Sequence, residues 1–272
     1  MLLISKDIIL MSDHYQQIRS ATGKLYYAGE VFLIDPLLAK KGVYPGFGGT
    51  KRSELFNPLT ELPLSTDEIL KDVTCVMVTH THLDHWDLYA EALIKKDLPV
   101  FVQHAADAQL IRSKGFTNVK VLGKGIMHNK VKLTRTACQH ASDSMLSIPE
   151  LAERLDQSMG FVFDADGHKK VYVAGDTIWN EYVETEIKTH QPDYCILNTG
   201  HAETMMDDSA MIMGKEDILK CVEFHNKCKV IAVHMDAINH CMHSRAMVRE
   251  FVKEKKIEDK VIIPEDGENV NL

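Results

Sequence analysis

Apolar and polar positions in this chain come in short runs that switch between a period of two, the mark of strands, and a period near 3.6, the mark of helices. Two or three strands are expected across 14–35, with a Gly-containing turn at Gly23 and an apolar run that ends in Asp35 and Pro36. The 37–65 stretch is rich in Gly and Pro and reads as a long loop, with Tyr44 and Phe47 as candidates for a lid or substrate wall. An apolar strand runs from Val73 to Val78. Beyond it the pattern predicts a helix over 88–96, a strand over 99–102, a helix from Ala105 stopped by Gly115, and a strand over 119–122. An alternating strand spans 131–140, and a surface helix or loop pair spans 143–157. A hairpin spans 160–176 and turns at Asp166–Gly167. Helices over 181–190, 215–226 and 245–255 then alternate with strands over 194–198, 229–234 and 260–263. Alternation of this kind indicates an α/β protein with layered sheets and helices.

The apolar run at Val73–Val78 stops abruptly at His80, His82, Asp84 and His85. Packing does not call for that many polar side chains after a buried strand. Residues two apart in an extended segment share a face, so His80 and His82 can offer imidazoles to one cation. The adjacent Asp84 and His85 can reach a second. Three further strands end on ligand-type residues: the 131–140 strand on His140, the 171–174 run at Asp176, and the 229–234 strand on His234. His128 competes with His140 but falls in the turn before that strand. Imidazole and carboxylate ligands suit Zn, Mn or Fe.

The His80-x-His82-x-Asp84-His85 spacing, directly after a strand, resembles the metallo-β-lactamase superfamily of metal-dependent hydrolases. Gly175–Asp176–Thr177 matches that superfamily's context for a metal-bridging aspartate. The resemblance runs from Asp35 to His234 and implies a single domain over 1–272, a four-layer αββα sandwich of two mixed β-sheets with helices on the outer faces. It implies His80, His82 and His140 on one divalent cation, Asp84, His85 and His234 on the other, and Asp176 between them. Zn is favoured, with Mn or Fe as alternatives. Asp35 is implied as an outer support for the ligands. The Thr79–Asp87 run and the late Val233–His234–Met235–Asp236 segment look most like the branch containing L-ascorbate 6-phosphate lactonase.

Two closely spaced cations lower the pKa of a shared water, and the resulting hydroxide can attack a carbonyl carbon or a phosphorus. The expected activity is therefore cleavage of an ester or lactone of a small polar metabolite, with a phosphodiesterase as the alternative and a non-catalytic metal-stabilised binding protein third. Asp84 and Asp176 are expected to orient the nucleophile and move its proton, and His240 to act as an acid. His201, Asn239 and Tyr44 are candidates for substrate contacts, whereas Trp86 reads as packing beneath the site.

Composition narrows the partners. Net charge is −8, from 31 basic and 39 acidic residues, and there is no long basic run, so nucleic acid is an unsuitable ligand. No apolar stretch is long enough to span a bilayer, and Lys6 and Asp7 interrupt the N-terminus too early for a secretory signal. Six cysteines at 75, 138, 195, 221, 228 and 241 lack framework spacing and read as reduced thiols of a cytoplasmic protein. A homo-oligomer is compatible with this composition.

Overall fold

The structure, a computed structural model, describes residues 12–155, 157–207 and 209–272; the N-terminal Lys6 and Asp7 lie outside them. Two seven-stranded sheets stack face to face. The first runs β14 (Asn269–Asn271), β1 (His14–Arg19), β2 (Thr22–Tyr27), β3 (Glu30–Ile34), β4 (Cys75–Met77), β5 (Val100–Val102) and β6 (Val119–Val121). The second runs β13 (Val261–Ile262), β12 (Lys229–Val233), β11 (Tyr194–Asn198), β10 (Val171–Val173), β9 (Met159–Asp164), β8 (Val131–Ala137) and β7 (Ile126–His128). Each sheet is mixed in the same way. The β14–β1–β2–β3 and β7–β8–β9–β10 runs are antiparallel, while β3–β4–β5–β6 and β10–β11–β12–β13 are parallel.

Period-two alternation explains the layers. In β4, Cys75 and Met77 enter the core between the sheets with Phe32, Phe101, Phe161 and Phe163, while Val76 faces the opposite side. That outer side is covered by α1 (Thr66–Leu70), α2 (Leu88–Leu93) and α3 (Ala105–Ser113), through Ile69, Ala90, Ala108 and Ile111. On the second sheet, Ile196 and Ile231 point inward, and Cys195, Leu197, Val230 and Ala232 point outward. Helices α6 (Glu181–His190), α7 (Lys215–Phe224) and α8 (Arg245–Lys255) cover that face with Val183, Ile187, Ile218, Val222, Val248 and Val252. Strands buried on both faces read as continuous apolar runs, which is why the parallel segments lack polar alternation. The result is the expected αββα sandwich. A short pair, α4 (Asp143–Leu146) and α5 (Pro149–Arg154), sits at one end against the 37–65 loop through Met145 and Leu151.

Local signals account for most boundaries. Helix α6 starts where the Asn180 side chain accepts from the Tyr182 and Val183 amides, and it ends at Gln191 in the left-handed region. Four features differ from the sequence expectation. The β1–β2 turn falls at Ser20–Ala21 rather than Gly23, which lies inside β2 where a Cβ would strike the Tyr15 ring. Helix α1 carries a reciprocal Ser65–Glu68 capping box that the long-loop reading passed over. Strands β7 and β14 are three residues each and form through pairing with β8 and β1. His128 accordingly lies in β7 rather than a turn, with its ring against Phe32 and Phe101.

Candidate metal centre

The C-terminal ends of β3, β4, β10 and β12, with the segment after β8, meet at one edge of the sandwich. His80 and His82 follow β4 and bring Nε2 and Nδ1 to 2.8 Å of each other. His140, three residues beyond β8, completes a triad with them whose ligand atoms all lie within 4.8 Å. Asp84, His85 and His234 form a second triad by the same measure. There the Nε2 atoms of His85 and His234 are 3.1 Å apart, and Asp84 Oδ2 is 3.5 Å from His234 Nε2. Asp176 stands between the triads. Its Oδ2 is 3.2 Å from His85 Nε2 and 3.6 Å from His140 Nε2, and its Oδ1 is 3.8 Å from His234 Nε2.

Each imidazole turns one nitrogen inward and anchors the other outward. His85 Nδ1 meets Asp35 Oδ2 at 2.8 Å, His140 Nδ1 meets the Met211 carbonyl at 3.2 Å, and His80 Nδ1 meets Thr79 Oγ1 at 3.0 Å. His82 Nε2 meets the Arg154 carbonyl at 2.8 Å, and His234 Nδ1 lies 3.4 Å from Ser20 Oγ and from Cys241 Sγ. Outer hydrogen bonding of this kind sets the tautomer and orientation of metal-binding histidines. Asp35 also accepts from the Thr79 amide and hydroxyl at 2.7 and 2.8 Å, which ties the end of β3 to the end of β4. Asn198, at the end of β11, donates to Asp176 Oδ1 at 2.6 Å.

Backbone geometry aims these groups. Asp35 and His234 both adopt positive φ, at 44° and 64°, where the chain leaves its strand. Gly175 does the same just before Asp176, and a Cβ there would strike the Met159 carbonyl.

The electrostatics call for positive charge. Burial opposes ionisation of Asp84 and Asp176, yet the neighbouring His85 and His234 hold both carboxyls below their usual range. Burial likewise disfavours a charge on His85, but Asp176, Asp84 and Asp35 outweigh it and push the imidazole up to about 10. His80 and His140 have less carboxylate around them, and burial pulls them down, His140 to about 4. The carboxylates push His234 up as well, so protons on His85 and His234 balance this crowd of donors, and divalent cations would satisfy it better by displacing them. The residues fit such a group.

A cavity of about 340 Å³ opens over this cluster. Its floor is His82, Asp84, His140 and Asp176; its walls include Phe47, Leu83, Leu151, Leu155 and Met211. His240 also lines it, stacked on Phe47 at 5.2 Å, with a buried Nδ1 that has no hydrogen-bond partner. Burial pulls this imidazole down to about 4, so it is neutral at physiological pH.

The other residues singled out from the sequence are placed elsewhere. Tyr44 is buried, and its hydroxyl donates to Asp87 at 3.2 Å instead of facing the cavity. Asn239 is fully buried and clamps the 46–52 loop, accepting from the Phe47 amide and Asn57 and donating to Thr50 Oγ1 and the Lys51 carbonyl. His201 stacks on His243 at 4.4 Å and faces Glu203, outside the cavity lining. Hydrogen bonds within the protein use the polar atoms of Tyr44 and Asn239, and His201 pairs with Glu203 at 3.5 Å. Trp86 packs on Phe116 as expected. Thr79, Asn198, Met211 and Arg154 were not anticipated. Only Asn198 carried a signal, as a polar residue closing the buried β11.

Comparison with known proteins agrees with this architecture. Residues 30–235 match the family model described as beta-lactamase superfamily domain. The UPF0173 protein YddR of Bacillus subtilis is 42% identical over 253 residues, covering 93% of this chain and 97% of that protein. A crystal structure described as a possible metal-dependent hydrolase from Veillonella parvula superposes with a TM-score of 0.95 at 44% identity, covering 96% of this chain and all of that one. The isothiocyanate hydrolase from Delia radicum gut bacteria superposes with a TM-score of 0.92 at 40% identity, covering 95% and 99%. The chain belongs to the beta-lactamase superfamily, within the UPF0173 metal-dependent hydrolases.

Proposed function

We propose that this chain, acting as one domain, hydrolyses a small, uncharged molecule that joins an electrophilic carbon to an apolar substituent, directly or through a heteroatom. The observation that carries this reading is the cavity: a floor of ligand-type side chains under walls of Phe47, Leu151, Leu155 and Met211. His80, His82 and His140 would hold one divalent cation and Asp84, His85 and His234 a second, with Asp176 shared, Zn favoured and Mn or Fe as alternatives. Bound there, the cations would acidify water and polarise the substrate heteroatom.

The chain's own groups do the rest. Asp84, a carboxylate at the cavity floor, orients the attacking water and takes up its proton. His240, neutral and unpartnered, directs a ring nitrogen at the substrate heteroatom and stabilises charge as it develops there. The apolar walls seat the substituent and exclude bulk water, which strengthens each polar contact at the floor.

An isothiocyanate fits this description. Water adds across the central carbon of the N=C=S group, and cleavage of the C–N bond then gives an amine and carbonyl sulfide. The solved relative that bears this activity in its name supports that choice. Esters and lactones, including those handled by the lactonase-like branch, use the same machinery and form the second class. Phosphodiesters and sugar phosphates fit less well, because Arg154 is the single fixed cation among the described lining residues and it donates to the Gly48 carbonyl. The test is turnover by the metal-loaded protein of a benzyl isothiocyanate, an apolar lactone and a phosphodiester. Hydrolysis of either carbon electrophile is expected. Turnover of the phosphodiester alone would overturn the reading.

A further inference from the structure

A second convergence of ligand-type atoms lies at the opposite end of the second sheet. Cys195 on β11, Cys221 on α7 and Cys228 just before β12 bring their sulfurs within 4.8 Å of one another. All three are fully buried among Ile218, Val222 and Val230. Cys228 precedes His234 by six residues of mostly extended chain, so at roughly 3.3 Å per residue the cluster sits on the order of 20 Å from the His/Asp centre.

The turn between Cys221 and Cys228 is held closed. The His225 amide donates to the Cys221 carbonyl at 3.0 Å, and the Cys228 amide donates to the His225 carbonyl at 3.1 Å. His225 is itself buried, and its Nε2 meets the Pro192 carbonyl at 3.0 Å. That contact fixes Nε2 as the N–H and leaves Nδ1 as a lone-pair donor, the orientation that outer hydrogen bonds impose on metal-binding imidazoles. The thiols are also unequal. Cys195 and Cys221 can both donate S–H to Cys228, which pulls Cys228 down to about 4.

We propose that Cys195, Cys221 and Cys228 form a binding site for one thiophilic cation with a filled d shell, Cu(I) or Zn(II), separate from the hydrolytic centre. Soft sulfur donors select these ions. Metal–sulfur bonds replace S–H bonds, and the displaced protons go to solvent. Three sulfurs alone suit Cu(I), and Zn(II) would take a fourth donor beyond them.

The test is anaerobic loading of the full-length protein with one equivalent of Cu(I), and in a parallel arm with Zn(II) beyond that held by the hydrolytic centre. The first shell is read by X-ray absorption and the thiolate-to-metal charge transfer by ultraviolet absorption. One cation per chain with a sulfur shell near about 2.3 Å is expected in the arm of the preferred metal. Cys221→Ser and Cys228→Ser are expected to weaken it at least tenfold, while Cys75→Ser, on the other sheet, leaves it unchanged. A wild-type shell of nitrogen and oxygen alone in both arms would overturn the site, whether or not the variants fold. So would unweakened binding with an unchanged sulfur shell in folded Cys221→Ser.

Discussion

The two clusters of ligand-type residues share strands β11 and β12 yet differ in how they are built. At the C-terminal ends, every imidazole and Asp176 are held from behind by a second hydrogen bond, and a cavity stands in front. At the N-terminal ends, three thiols meet in an apolar core, held by helix packing and one tight turn. Parallel strands explain the division. Their C-terminal ends open into long loops that can carry chemistry, while their N-terminal ends are covered by returning helices. Orientation by outer hydrogen bonds serves a site that must present an open face to substrate. Burial serves one that only has to retain an ion.

The comparison can be broken most forcefully at Asp176. Asp176→Asn removes the carboxylate shared by both triads, and kcat/KM is expected to fall on the order of 10³-fold, with less metal retained by elemental analysis. An unchanged rate would remove Asp176 from the centre. His240→Gln keeps the metal ligands but removes the imidazole, and kcat is expected to fall about 100-fold with metal content intact. Parallel loss of metal would instead show His240 to be a ligand. Asp35→Asn acts only through His85 and Thr79. Metal affinity should weaken by about 10–100-fold, and excess metal should restore turnover. Asn239→Ala strands the Phe47 amide and Asn57, so stability should drop by about 1–3 kcal/mol in a denaturant titration, with KM raised as the Phe47 wall loosens. The smallest effect belongs to the other cluster. Cys221→Ser should leave kcat within about twofold, because no thiol of the trio lines the cavity. A large loss there would join the two regions that the fold keeps apart.

Much of the centre was legible before any coordinates. His80, His82, Asp84, His85, Asp176 and His234 stand where apolar periodicity stops, and strand ends necessarily gather at a sheet edge. The supporting groups were not. Thr79 and Asn198 are ordinary polar residues until Asp35 and Asp176 come within 2.8 and 2.6 Å. Arg154 and Met211 contribute carbonyls, which every residue has. Tyr44 and Asn239 look like rim residues in sequence; the bridge to Asn57 and the hydrogen bond to Asp87 turn Tyr44 inward, and the 46–52 loop closes over Asn239. The cysteine trio escaped notice because its members belong to separate elements and no local spacing links them.

By itself the sequence determined the α/β layering, most of the strand and helix order and the ligand-rich strand ends, because these follow from backbone period and side-chain chemistry within a few neighbours. The tertiary structure alone decided which outer groups orient the imidazoles, that the cavity is walled by Phe47, Leu151, Leu155 and Met211, and that three distant thiols touch. Those depend on contacts between residues far apart in the chain, and such contacts exist only once the two sheets have packed.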